Sequence, residues 1–134
     1  MSADAYLPKT HLRIDPRWVG APLDLGEGSA SAVLVTTPEM AADERGLVHG
    51  GFVFGLADYA AMLAVNDPNV VLGGADTRFL KPVRTGEGLE ARARVAETNG
   101  RKSKVQVEVL RDGEAVMTGT FTCLTLDRHV LDRP

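Results

Sequence analysis

Apolar and polar positions follow different rhythms along the chain. From Leu89 to Glu97 (Leu-Glu-Ala-Arg-Ala-Arg-Val-Ala-Glu) and from Lys104 to Arg111 (Lys-Val-Gln-Val-Glu-Val-Leu-Arg) they alternate, the period of a strand with one buried face. Ala115 to Leu126 ends in Thr-Gly-Thr-Phe-Thr-Cys-Leu-Thr-Leu and reads as a third strand. Asn99-Gly100 and Asp112-Gly113 separate these runs, and both dipeptides favour tight hairpins. Ser31 to Thr36, Val70 to Leu72 and Ala75 to Leu80 are also strand-like, the last two split by Gly73-Gly74. Gly51 to Val65 breaks the rhythm: it is rich in Ala, Leu and Met, apolar on every face, and too long for a strand. That predicts a buried helix, stopped by Asn66-Asp67-Pro68. Pro38 to Leu47 predicts a polar loop with a helical turn at Glu39 to Ala42. The first ~28 residues, punctuated by Pro8, Pro16, Gly20, Pro22, Gly26 and Gly28, predict irregular structure, residues 1–19 forming an N-terminal segment.

The expected class is α+β: one helix laid on an antiparallel sheet. A helix apolar all round must be enclosed, and in a short chain a curved sheet and a partner subunit can do it. The length, 134 residues, fits one domain, 1–134, with little room for a deep pocket. Any large site is then expected to be shared between subunits. A net charge of −3 argues against general attraction to nucleic acid. Cys123 is the only cysteine, so no intrachain disulfide forms. Met1 to Ile14 lacks the apolar run of a secretory signal, and Gly50 to Val65, interrupted by Asp58, is too short to span a bilayer. The expected compartment is the cytoplasm, with no membrane partner.

Asp58 is the one charged side chain between Gly51 and Val65. An ionised carboxylate there is costly unless paired or hydrogen-bonded. It lies two turns inside the helix and cannot be an N-cap. Two readings stand open: a catalytic carboxylate whose pKa is tuned by its surroundings, or an interface Asp held by an Arg or by backbone. His49-Gly50-Gly51 precedes the helix. Free N–H groups of a first turn suit a developing negative charge, and glycines let a ligand approach them. A thioester or ester carbonyl could be polarised there, with His49 positioning the loop or bonding the carbonyl. Two glycines alone are a weak signal, and the same residues make a plain loop-to-helix turn with a hydrogen-bonded histidine. Gly51 and Asp58 are seven positions apart, about 10 Å along a helix axis. If both act on one carbonyl, Asp58 comes from a second subunit whose helix runs antiparallel.

Leu47-Val48-His49-Gly50-Gly51, then Leu56-Ala57-Asp58, then Arg78-Phe79-Leu80-Lys81-Pro82 resembles the hotdog-fold thioesterases, in particular their phenylacetate-pathway (PaaI-like) acyl-CoA branch. The resemblance runs from about Gly20 to Leu126. It implies a long central helix wrapped by a curved antiparallel sheet, and a homodimer with two composite sites, paired into a homotetramer. It implies hydrolysis of an acyl-CoA thioester, coenzyme A being part of the substrate rather than a cofactor. Asp58 takes the place of the catalytic carboxylate, as general base or nucleophile. Gly51 takes that of the glycine whose N–H polarises the carbonyl, and His49 that of the loop histidine. Asp43 stands where similar enzymes often carry Asn; either it is a second carboxylate beside Asp58, raising that pKa by like-charge repulsion, or it points into solvent. Tyr59 stands where a small residue or Thr is usual.

Gly50, Phe79, Tyr59, Met62 and Leu63 are candidates for lining the substrate pocket. Two clusters, Arg78, Lys81 and Arg84 around Pro82 and Arg101, Lys102 and Lys104 at the Asn99-Gly100 turn, are candidates for the coenzyme A phosphates. No Gly-x-Ser-x-Gly elbow or nucleotide phosphate loop is present, and dispersed His11, His49 and His129 with one Cys make a zinc site unexpected. Other possibilities are a non-catalytic acyl-CoA-binding or sensing module and a hotdog hydratase, although the residues around His49 do not look like those of a hydratase.

Overall fold

The computed structural model describes residues 6–132. Its elements are a short helix α1 (Pro16–Val19), strands β1 (Ala21–Gly26) and β2 (Ser29–Val35), the long helix α2 (Gly50–Val65), and strands β3 (Val70–Phe79), β4 (Gly88–Asn99), β5 (Lys102–Arg111) and β6 (Glu114–Thr125). The six strands form one antiparallel sheet in the order β1-β2-β4-β5-β6-β3. Helix α2 lies in the concave side, touching every strand. This is the α+β hotdog arrangement, a central helix wrapped by a curved sheet.

Alternation fixes the register. Val105, Val107 and Val109 of β5 are buried with Ala91 and Ala93 of β4, while Gln106, Glu108, Arg92 and Arg94 face outward and are exposed. Around α2, Leu56, Ala57, Ala60, Ala61, Met62 and Leu63 have no accessible surface. Small residues on the helix let the strands close over it, and Phe121 of β6 stacks on Phe54 at 5.4 Å between ring centres.

Four expectations need correction. The first 28 residues are not irregular throughout: Asp15 caps α1 through Arg17 N–H (2.9 Å), and Ala21–Gly26 pairs with β2 despite Pro22. Pro22 and the bulge after it suit an edge strand. Gly73-Gly74 does not end a strand; β3 runs through it with a bulge between Leu72 and Gly74. The helical turn after β2 is a 3-10 turn over Pro38–Met40, one residue earlier than its predicted start. Of the two hairpins, Asp112 (φ 50°) and Gly113 (φ 80°) are the central pair of theirs, but in the other the centre is Gly100 (φ 63°) and Arg101, with Asn99 already paired to Lys102.

Residues 6–20 form a strap across α2. At its C-terminal end, Asn66 caps the helix in the left-handed conformation (φ 53°) and ties the strap down: its Oδ1 accepts from Lys9 N–H (2.7 Å) and its Nδ2 donates to Leu7 C=O (3.0 Å). At its N-terminal end, Trp18 stacks near Phe52 (5.9 Å) and Val19 meets Gly55. Among the described residues no helix is long and apolar enough to cross a membrane.

Candidate active site

The loop before α2 is built to place His49. Met40 is buried, and its C=O accepts from His49 N–H (2.9 Å). Ala41 bridges to Val48, Ala42 N–H donates to Leu47 C=O (2.7 Å), and Val48 N–H donates to Val83 C=O (2.8 Å). His49 then sits at the N-cap without a side-chain cap bond, its C=O accepting from Phe52 N–H (3.0 Å). No side chain caps this end, and first-turn N–H groups have no partner within their own helix. Gly51 is exposed, and the His49 ring lies over it: a Cβ at Gly51 would stand 3.0–3.1 Å from that ring. A Cβ at Gly50 would touch Phe79 at 3.5 Å. The helix start is therefore a shallow floor of backbone between an imidazole and a phenyl ring.

Asp58 lies further along the same side of α2. Gly50, Phe54 and Asp58 follow at four-residue steps, one stripe facing β6 and β3. Gly50 meets Phe79, Phe54 meets Phe121, and Asp58 is near enough to Cys123 for its charge to help raise that thiol. Its Oδ1 is buried and has no hydrogen-bond partner among the described residues. Burial pushes the Asp58 pKa up to about 6. Asp43 is not among the causes; of its two expected places, beside Asp58 or in solvent, it takes the second. Asp43 is exposed in the loop, where its Oδ1 accepts from Arg45 N–H (2.9 Å) and Leu47 N–H (3.2 Å). Cys123 is fully buried, its pKa pushed up to about 12 chiefly by burial, so at neutral pH it is an inert thiol in the core.

The other candidates separate by position. Met62 and Leu63 are wholly buried in the core. Tyr59 is buried toward the strap, its ring 6.3 Å from that of His11. Arg78 faces the outer side of the sheet with Arg92, Arg94 and Glu108. Lys81 pairs with Glu114 (3.0 Å), and Arg84 lines a groove close to the start of α2. Arg101, which pairs with Asp127, lies with Lys102 and Lys104 in the β4–β5 hairpin beyond the other end of the helix. Two residues of that groove, Arg45 and Arg111, were missed in the sequence. Arg45 belongs to a polar loop with no periodicity, and Arg111 ends a strand pattern like any solvated residue.

The fold, a long helix wrapped by a six-stranded antiparallel sheet, defines a hotdog protein. The sequence profile of the thioesterase superfamily matches residues 45–118, more than half of the chain. The chain belongs to the thioesterase superfamily. Among curated relatives, it is 50% identical over 113 residues to part of the methylthioribose-1-phosphate isomerase of Aquifex aeolicus, covering 84% of this chain and 25% of that one. It is 32% identical over 106 residues to the transcription factor FapR of Exiguobacterium, covering 78% and 56%. The chain thus spans only a quarter to about half the length of these relatives. Among solved structures, an uncharacterized protein of Pyrococcus horikoshii superposes with a TM-score of 0.93 at 52% identity, covering 94% of this chain and 97% of that one. A mutant of the phenylacetic acid degradation protein PaaI of Thermus thermophilus superposes with a TM-score of 0.73 at 31% identity, covering 81% and 95%.

Proposed function

We propose that the protein hydrolyses an acyl-CoA thioester to the free acid and coenzyme A, in a site shared by two copies of the chain. The observation that carries this reading is Asp58: a carboxylate with a buried, unpartnered oxygen, on the stripe of α2 that begins at the glycine floor. A protein that only needed a stable core would gain by losing it.

About 10 Å of helix separates Gly51 from Asp58, too far for both to act on one carbonyl in one chain. A second copy resolves this. Asp58 lies on the stripe of α2 that faces β6 and β3, and among the described residues strand β3 has β6 on one side and no strand on the other. Ala75, Phe79 and Leu80 are exposed along it. Two copies meeting there antiparallel bring each Asp58 to the other copy's Gly51.

In that arrangement Gly51 N–H donates to the thioester oxygen as it gains negative charge, and His49 borders it. Asp58 of the facing subunit takes a proton from water, which attacks the carbonyl carbon. The C–S bond breaks and coenzyme A leaves as a thiolate. Attack by the carboxylate itself, followed by hydrolysis of the anhydride, uses the same geometry. The reaction needs no metal or separate cofactor. Pairing of dimers into a homotetramer and a cytoplasmic location extend the same reading. The experiment is an acyl-CoA panel on the purified protein and Asp58→Asn: the variant should lose at least ~10²-fold in kcat, the usual worth of a positioned acid or base. Hydrolysis by the variant near the parent rate overturns the assignment.

A second reading, binding without turnover, is favoured by the likeness to FapR, a transcription factor. It predicts acyl-CoA binding and no thiol release by the parent protein.

A further inference from the structure

Near the start of α2 lie two adjoining hollows, the outer one carrying more basic than acidic side chains. Residues 46–48 run antiparallel to residues 83–85, with Val48 N–H bonded to Val83 C=O (2.8 Å), Thr85 N–H bonded to Gly46 C=O (2.9 Å), and Leu47 opposite Arg84. Beside this pairing lies a groove of about 600 Å³ that carries Arg45, Lys81, Arg84 and Arg111. A smaller hollow of about 290 Å³, bordered by Gly50, Val53 and Phe79, shares Lys81 and Pro82 with it. The two adjoin at Lys81 and Pro82, so the arginines lie one hollow away from the glycine floor.

The acids of the groove are already engaged. Asp43 holds the N–H groups of Arg45 and Leu47. Glu87 Oε1 accepts from Arg84 N–H (2.7 Å) and from Arg111 Nη1 (3.4 Å), while Arg111 also donates to Pro82 C=O (2.6 Å) and Glu114 (3.1 Å). Lys81 shares Glu114. The Arg45 and Arg84 guanidinium groups have no carboxylate at ion-pair distance among the described residues, and both residues are exposed. Leu47, two residues before His49, lies ~7 Å from it along extended chain, and Arg45 at most ~13 Å. That is too far for a group on the thioester carbon and near enough for the other end of the same molecule. Leu47, 41% exposed, and Pro82 offer an apolar rest beside the charges.

We propose that Arg45 and Arg84, flanked by Lys81, bind the nucleotide phosphates of coenzyme A, with the adenine over Leu47 and Pro82. This deepens the hydrolase reading and rests on it for the direction in which the substrate lies. Planar guanidinium groups match phosphate oxygens in pairs, and two unpaired ones give up no ion pair on binding. The other cations do not serve: Arg78 is on the sheet's outer face, and Arg101, Lys102 and Lys104 stand beyond the opposite end of a 16-residue helix, ~24 Å long.

The test is calorimetric binding of coenzyme A, 3′-dephospho-coenzyme A and pantetheine to the parent, to the double variant Arg45→Ala/Arg84→Ala, and to Arg94→Ala, an outer-face control. Melting curves establish that each is folded. The double variant should weaken coenzyme A at least tenfold and pantetheine less than twofold; Arg94→Ala should match the parent. In turnover, the double variant should raise KM for acyl-CoA with kcat retained, and leave N-acetylcysteamine thioesters of the same acyl group unaffected. Equal loss for pantetheine or N-acetylcysteamine esters, or no loss for coenzyme A, overturns the phosphate assignment. If the parent binds coenzyme A through these arginines yet releases no thiol, the hydrolase reading fails and the phosphate site stands.

Discussion

Asp58 carries opposite demands at neutral pH. Its folded pKa of about 6 stands above the ordinary value near 3.9, so between those values the native state holds more protons than the unfolded one. Stability is therefore full below pH ~4 and declines as pH rises through about 6. Chemistry asks the reverse, because only the ionised carboxylate can take a proton from water. Two outcomes follow for one residue. The parent's kcat/KM should rise with pH and level off above an apparent pKa near 6. Asp58→Asn should be inactive, yet should melt a few degrees higher than the parent at pH 8, the gap closing toward pH 4. A parent and variant that melt alike across this range would show that Asp58 is not desolvated. This residue was legible in the sequence because it is a lone charge in an apolar run. Asn66 was not: its helix-ending role was plain, but its two bonds to the strap join residues nearly sixty positions apart, which no local pattern reports.

At the scale of elements, alternation located β4, β5 and β6 within one or two residues at each end, because their faces differ so sharply in polarity. It missed β1, where proline and glycine punctuation hid an edge strand, and it split β3 at a bulge. What local sequence does not show is how closely strands approach. Gly119 of β6 is an example: a Cβ there would stand 2.8 Å from Thr77 Cγ2 and 3.0 Å from the C=O of Asp76, both in β3. Backbone cannot yield as a flexible side chain can. Gly119→Ala should cost about 1–3 kcal/mol and displace the strand that forms the proposed dimer edge. Gly88→Ala, with nothing within 4 Å, should stay within ~0.5 kcal/mol. Urea unfolding of the two variants compares them directly, and equal midpoints would refute the close approach of β6 and β3.

At the scale of the whole molecule, the described residues present a strand, β3, paired on one side only, exposed apolar side chains along it, and a helix stripe, Gly50, Phe54 and Asp58, that faces β6 and β3. A single copy holds the glycine floor and the carboxylate about 10 Å apart. Activity that requires two copies should fall on dilution in step with the loss of dimer measured by sedimentation. A constant specific activity in monomeric samples would mean that each chain is complete. The family was legible from three short motifs, and the helix–sheet arrangement from periodicity. The charged groove was legible only in part: Lys81 and Arg84 stood out around Pro82, whereas Arg45 joins them only through the Leu47–Arg84 pairing.

Strand order also bears on how the chain reaches this state. Strands β4, β5 and β6 are neighbours in both sequence and space, joined by two-residue turns. The β2–β4 ladder, by contrast, seats Val35 against Gly88 across the entire helix. Closing a long loop before any contact rewards it is slow, so the three-stranded meander is the part able to assemble first. It then serves as a template on which α2 docks, with the β1–β2 hairpin following. The amides of β5, with a partner strand on either side, should exchange with deuterium last, and those of β1 among the first.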